Sequence, residues 1–155
     1  ATSAVPERFE FGTLPYELMA GCIAAIDFIA EMAPGNGTTR REKIVNSMNA
    51  LEKYEDGLLE YLESSVKALP GVVMYGHAKH RTPTIYFSCT GHSSADIYAA
   101  MASKGVTLPA SNFYALEVSR KLGLGDSGAL RAGLAPYSIK DDVDRLVGGL
   151  KEILA

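Results

Sequence analysis

Ala129-Leu130-Arg131-Ala132-Gly133-Leu134-Ala135-Pro136-Tyr137, continued by Ser138-Ile139-Lys140-Asp141-Asp142-Val143-Asp144-Arg145-Leu146, reads as an apolar strand, a turn and an amphipathic closing helix. Ser138 followed by Asp141 has the form of a capping box with Asp in place of Glu. Behind it Ile139, Val143, Leu146, Val147, Leu150 and Ile153 recur on one helical face. The strand carries Arg131 among Ala, Leu and Gly. A guanidinium is costly to bury without an anionic partner. That partner is either an acidic group, with Glu117, Asp126 and the terminal carboxylate as candidates, or a ligand carboxylate or phosphate.

Working back from this stretch, Gly123, Gly125 and Gly128 form a flexible link, preceded by a short helix expected over about 113–122. Val106-Thr107-Leu108 reads as a strand. The helix before it is capped by Ser93 or Ser94, runs through Lys104 and turns Ile97, Tyr98 and Met101 inward. Val72–Tyr75 and Thr84–Cys89 are rich in β-branched and aromatic residues and read as an antiparallel pair. A long helix is expected from Thr39 to Leu69, with an apolar stripe through Ile44, Met48, Leu51, Leu58, Leu62 and Val66. Before the breaker Pro34-Gly35-Asn36-Gly37 lies an apolar helix with Thr13 as its cap and Leu18, Cys22, Ala25, Ile26 and Ile29 at helical spacing.

This order predicts an α+β fold: a small, mainly antiparallel sheet covered by helices, preceded by a long linking helix. The segments are 1–38, 39–70 and 71–155. The opening Ala1-Thr2-Ser3-Ala4-Val5-Pro6 reads as a linker, and a first residue other than Met hints at a fragment or a processed chain.

The 155 residues carry a formal net charge of −3 and are 21% charged, with short basic clusters only. No basic face of the kind nucleic-acid binding needs is expected. Cys22 and Cys89 lie in apolar stretches and read as buried thiols of a reducing, cytoplasmic compartment. His77, His80 and His92 have no metal-ligand spacing and read as solvated loop residues. The apolar run Leu18–Ile29 is interrupted by Asp27 and is too short to cross a bilayer.

Two further motifs carry a family resemblance. Arg8-Phe9-Glu10-Phe11-Gly12-Thr13-Leu14-Pro15, with the helix ending Ala24-Ala25-Ile26-Asp27-Phe28-Ile29, resembles the "RFE-x-GT-x-P" segment of cysteine desulfurase-like proteins. These are class V aminotransferases of the pyridoxal-phosphate (PLP) fold type I superfamily. Leu130–Tyr137 with Asp142–Leu146 resembles the same family's "R-x-S-L-x-x-Y-N … EE-[IV]-D-R-L" ending. The resemblance implies the end of the large domain, the linking helix and the C-terminal small domain of such an enzyme.

The resemblance also assigns roles. Arg131 grips the α-carboxylate of an amino-acid substrate, through a planar fork of donors that matches a carboxylate. Gly12 and Thr13 reach across a homodimer to the PLP phosphate of the neighbouring subunit, a task suited to N–H and hydroxyl donors at a helix N-terminus. Asn112 and Tyr114 lie in the substrate loop. The lysine that binds PLP covalently lies upstream in the family, and no lysine here sits in its motif, so no catalytic residue is expected within this chain. In desulfurases the loop holds a nucleophilic cysteine; Tyr114 falls about there, and no cysteine follows Cys89. Sulfur transfer needs a thiolate, so the missing cysteine speaks against it and leaves transamination, racemisation, epimerisation or elimination. From the residues alone, Tyr114 also reads as an aromatic covering the sheet, and Thr13 as a simple helix cap. A free-standing small-molecule-binding or dimerisation module is the alternative reading of the whole chain.

Overall fold

A computed structural model describes residues 2–155. The chain divides into two compact units, one ending at Glu52 and one running Lys53–Ala155.

The first unit holds a 3-10 turn, Glu7–Phe9, the helix α1, Tyr16–Glu31, and the start of α2, Arg40–Lys67. Helix α1 begins after Pro15 with no side-chain cap. Thr13 is therefore not the expected cap: Pro15 occupies the N-cap position, two residues later. The apolar face of α1 is largely open within this unit: Leu18, Met19, Cys22, Ile23, Ile26 and Phe28 are exposed, and Ala30 is the helix's buried residue. Among the described residues of this unit, the C-terminal end of α1 finds its partner on α2. Ser47, on α2, is buried there; its hydroxyl donates to the Ala30 carbonyl at 3.1 Å and accepts from the Ala33 N–H at 3.0 Å.

The start of α2 has a reciprocal cap that the sequence reading passed over. Thr39 Oγ1 accepts from the Glu42 N–H at 3.2 Å, while the Glu42 carboxylate accepts from the Thr39 N–H, the Thr38 N–H and the Thr38 hydroxyl. Hydrogen bonds from Thr39 and Thr38 hold the Glu42 carboxyl down at about 2, against an ordinary value of 4.5. A carboxyl depressed on folding adds stability that is complete above its ordinary value and is lost as pH falls toward the folded one. We expect acid unfolding of the chain to steepen between about pH 4.5 and 2. Glu42→Gln should flatten that slope in a circular-dichroism titration; an unchanged slope would rule the cap out as its source.

The second unit is α+β. Four strands, β1 (Val72–Tyr75), β2 (Thr84–Cys89), β3 (Ala110–Ser111) and β4 (Ala129–Gly133), form one antiparallel sheet in the order β1-β2-β4-β3. The alternation in β2 sets its faces: Ile85, Phe87 and Cys89 are buried, while Thr84, Tyr86 and Ser88 turn the other way. In register, Phe87 faces Leu130 and Ile85 faces Ala132 on the core side. Leu58, Leu59, Leu62 and Val66 of α2, Ile97 and Met101 of α3 (Ser94–Ser103), and Val143, Leu146, Val147 and Leu150 of α5 (Lys140–Leu154) complete that core. Gly149 of α5 allows a close approach: a Cβ there would meet the Met101 sulfur at 2.8 Å. Tyr61 of α2 donates to Asp144 of α5, and Lys140 bonds both partners at 2.9 and 2.7 Å.

The sheet, its antiparallel sense and the long helix agree with the sequence reading. Several local expectations do not. The third strand is Ala110–Ser111 rather than Val106–Leu108, because Leu108 turns into the core and pairing with β4 begins at the Pro109 carbonyl, which accepts from the Arg131 N–H at 2.9 Å. The short helix, α4, is Leu116–Lys121, shorter than 113–122, because Phe113 and Tyr114 have left-handed backbone with φ of 50° and 65°. Tyr98 is exposed rather than core. Ser93 caps α3, accepting from the Asp96 N–H. The capping box of α5 is shifted by one residue: the Asp142 carboxylate accepts from the Ile139 N–H at 3.0 Å, and Ser138 instead accepts from the Ala135 N–H.

Candidate anion site on the open face of the sheet

The alternation that buries Leu130 and Ala132 sends Arg131 to the opposite face, where it stands in register with Tyr86, itself beside Tyr75. Arg131 is exposed. The expectation of a buried guanidinium is corrected: the face of the sheet carrying it is not covered by the unit's helices. Two of its expected acidic partners, Glu117 and Asp126, are engaged elsewhere. Arg120 holds Glu117 at 3.1 Å and Asp126 at 2.7 Å, and keeps the Asp126 carboxyl below its ordinary value. Among the described residues no carboxylate lies within ion-pair distance of Arg131.

What Arg131 does touch is Phe113, whose ring centroid lies 3.9 Å from the guanidinium carbon. Phe113 in turn meets Tyr86 edge-on, with ring centroids 6.0 Å apart at 80°. The loop below is a tight turn of Ser111, Asn112, Phe113 and Tyr114. Ser111 Oγ accepts from the Phe113 N–H at 3.1 Å, and Asn112 Oδ1 accepts from the Tyr114 N–H at 2.9 Å. Asn and Ser side chains favour such turns by bonding backbone two residues on. Asn112 also donates to the Asp126 carbonyl at 2.8 Å. The Tyr86 hydroxyl fastens the loop to the sheet, donating to the Ser111 carbonyl at 3.1 Å and accepting from the Ala129 N–H at 2.8 Å.

Asn112 and Arg131 thus sit at the two ends of one cluster with Phe113 between them. Tyr114 does not cover the sheet: at 105% exposure it points wholly into solvent. Gly12 and Thr13 lie in the first unit, in exposed chain just ahead of α1. Tyr86 and Phe113 escaped the sequence reading as site residues. The Ser-Asn pair ahead of Phe113 was the signal for a turn rather than a helix start.

Cys89 is buried and its thiol is pushed above its ordinary value by desolvation, so it is no thiolate source. Cys22 and Cys89 are both free, and Cys22 is exposed rather than buried. No group of His, Cys, Asp and Glu able to hold a metal occurs among the described residues. No described helix is long and apolar enough to cross a membrane.

Residues 1–146 match the family described as aminotransferase class-V. "Uncharacterized protein MT3887" of Mycobacterium tuberculosis is 30% identical over 149 residues, 96% of this chain and 37% of that protein. A cysteine desulfurase of Pectobacterium carotovorum is 28% identical over 148 residues, 96% of this chain and 32% of that protein. The chain therefore spans about a third of the length of these relatives. Among solved structures, the cysteine desulfurase CsdA of Escherichia coli has a TM-score of 0.77 at 25% identity, over 99% of this chain and 35% of that one. The cysteine desulfurase of Thermococcus onnurineus shares the fold, with a TM-score of 0.76 at 22% identity over 96% of this chain and 34% of that one. The resemblance in the two terminal motifs and the match along nearly all of the sequence agree: the chain belongs to the class-V aminotransferase family.

Proposed function

We propose that this chain serves a PLP-dependent enzyme acting on an amino acid, with Arg131 as the residue that binds the substrate's α-carboxylate. One observation carries the reading. In a chain of this family, Arg131 stands exposed on the sheet's open face, its fork of donors unclaimed by any carboxylate among the described residues. A guanidinium fork binds a carboxylate through two parallel N–H···O bonds and remains charged throughout. Asn112 and Tyr114 flank the bound substrate, and Gly12 and Thr13 offer an N–H and a hydroxyl to the cofactor phosphate of a second subunit in a homodimer.

The residues present fit the rim of such a site: an exposed threonine hydroxyl free of helix capping, and a cation free of carboxylates. They do not include the covalent lysine, which the reading places upstream. PLP, when bound, supplies the electron sink for breaking a bond at the amino acid's α-carbon. This chain's part is to orient the substrate by its carboxylate and so select which bond is presented. The loop offers Tyr114 rather than a thiol, so the reaction is one without a cysteine nucleophile from this loop: transamination, racemisation, epimerisation or elimination. The test is the Michaelis constant of the Arg131→Ala enzyme for an amino acid, expected to rise about a hundredfold; a wild-type value would remove Arg131 from the site.

The second reading, a free-standing binding or dimerisation module, makes an opposite prediction about α1. The exposed apolar side chains from Phe9 to Phe28 favour the enzyme reading, since a patch of this kind calls for covering. On a sizing column at micromolar concentration, the 155-residue chain is expected to self-associate. A single monodisperse peak, together with cofactor-free binding of acetate, would favour the module.

A further inference from the structure

We propose that Phe113 is a positioning residue for the anion site: its ring holds Arg131 in place while leaving the guanidinium's N–H donors free for a carboxylate. The proposal rests on the role assigned to Arg131 above. An exposed arginine side chain has many rotamers, and fixing them on binding costs affinity. A protein carboxylate would fix them but would occupy the donors. An aromatic face attracts the cation without consuming any donor, and here the guanidinium carbon lies 3.9 Å from the ring centroid.

The loop is built to present that ring. Among the described residues, Phe113 and Tyr114 are the two non-glycine residues with positive φ, 50° and 65°, and they are adjacent. Left-handed backbone is unfavourable for residues with a Cβ and persists where its surroundings over-determine it. They do so here. Ser111 Oγ and Asn112 Oδ1 take the two strained N–H groups, and Asn112 Nδ2 ties the turn to Asp126. The Tyr86 hydroxyl pins Ser111, and the Tyr86 ring backs Phe113 edge-on. The strained pair has opposite outcomes: Tyr114 goes to solvent, and Phe113 goes under Arg131. Packing therefore explains Phe113's direction and not Tyr114's, and what Phe113 packs against is a cation with no carboxylate partner among the described residues.

The test uses the PLP-loaded enzyme that carries this chain, with L-alanine as the probe. Phe113→Leu keeps an apolar side chain and removes the ring; we expect KM to rise about tenfold with kcat within about twofold. Phe113→Tyr keeps the ring and should restore KM to within about twofold. In an Arg131→Ala background Phe113→Leu should add nothing further, because its effect acts through the guanidinium. In NMR spectra of the chain, the upfield-shifted side-chain protons of Arg131 should lose that shift in Phe113→Leu and keep it in Phe113→Tyr. Phe113→Met serves as a second ring-free variant should Phe113→Leu fold poorly. An unchanged KM in both ring-free variants, no rescue by tyrosine, or an equal penalty with and without Arg131 would each overturn the positioning role while leaving that of Arg131 standing. An unchanged KM in Arg131→Ala alone would overturn both.

Discussion

Adding one methyl group at Gly128 is expected to cost the protein at least about 3 kcal/mol of stability and to push the Ser111–Tyr114 loop off its position. Gly128 has a φ of 71°, where a Cβ is disfavoured, and a Cβ there would overlap the carbonyl of Ser111 and the nitrogen of Asn112. Both atoms are backbone and both are pinned, Ser111 by the Tyr86 hydroxyl and Asn112 by its bond to Asp126, so neither can yield cheaply. The control is Gly125→Ala. Gly125 has nearly the same φ, 64°, with nothing within 4 Å of a Cβ, so it should cost only about 1–2 kcal/mol from backbone strain. Denaturant midpoints of the two variants separate clash from strain. Equal losses would mean that the close approach of β4's leading turn to the loop is not held in solution.

Arg131→Ala is expected to raise KM for an amino acid about a hundredfold, the loss that follows when one partner of a paired carboxylate is removed. PLP affinity should stay nearly unchanged, because the reading gives Arg131 the substrate and not the cofactor. Arg131→Lys keeps the charge but loses the fork, so it should fall between, at about tenfold. Stability should scarcely move: Arg131 is exposed and makes no ion pair among the described residues. That combination distinguishes a binding residue from a structural one. An Arg131→Ala enzyme with wild-type KM would remove Arg131 from the site.

The fold was legible where period and composition agree. The β-branched and aromatic residues of Thr84–Cys89 gave an antiparallel strand, and the one-sided stripe through Leu58, Leu62 and Val66 gave a long helix packed along one side. It was illegible where a few polar contacts override pattern. Phe113-Tyr114-Ala115-Leu116 looks like a helix start, yet Ser111 and Asn112 capture the next N–H groups and delay the helix to Leu116. Ser138 looks like a cap, yet Asp142 reaches the Ile139 N–H instead. At the site, Arg131 was visible as a charge out of place in an apolar strand. Its partner was not, because an aromatic contact between a strand residue and a loop residue leaves no spacing signature. The same limit applies to α1: its helical spacing of apolar residues was legible, but spacing does not distinguish a covered face from the open one seen here.

The most direct measurement is a crystal structure of the PLP-loaded enzyme with L-alanine bound, since this amino acid brings its carboxylate and little else. The account predicts both carboxylate oxygens at about 2.8 Å from two Arg131 nitrogens, with the guanidinium still over Phe113. A carboxylate held by other donors, with Arg131 facing only solvent, would contradict it.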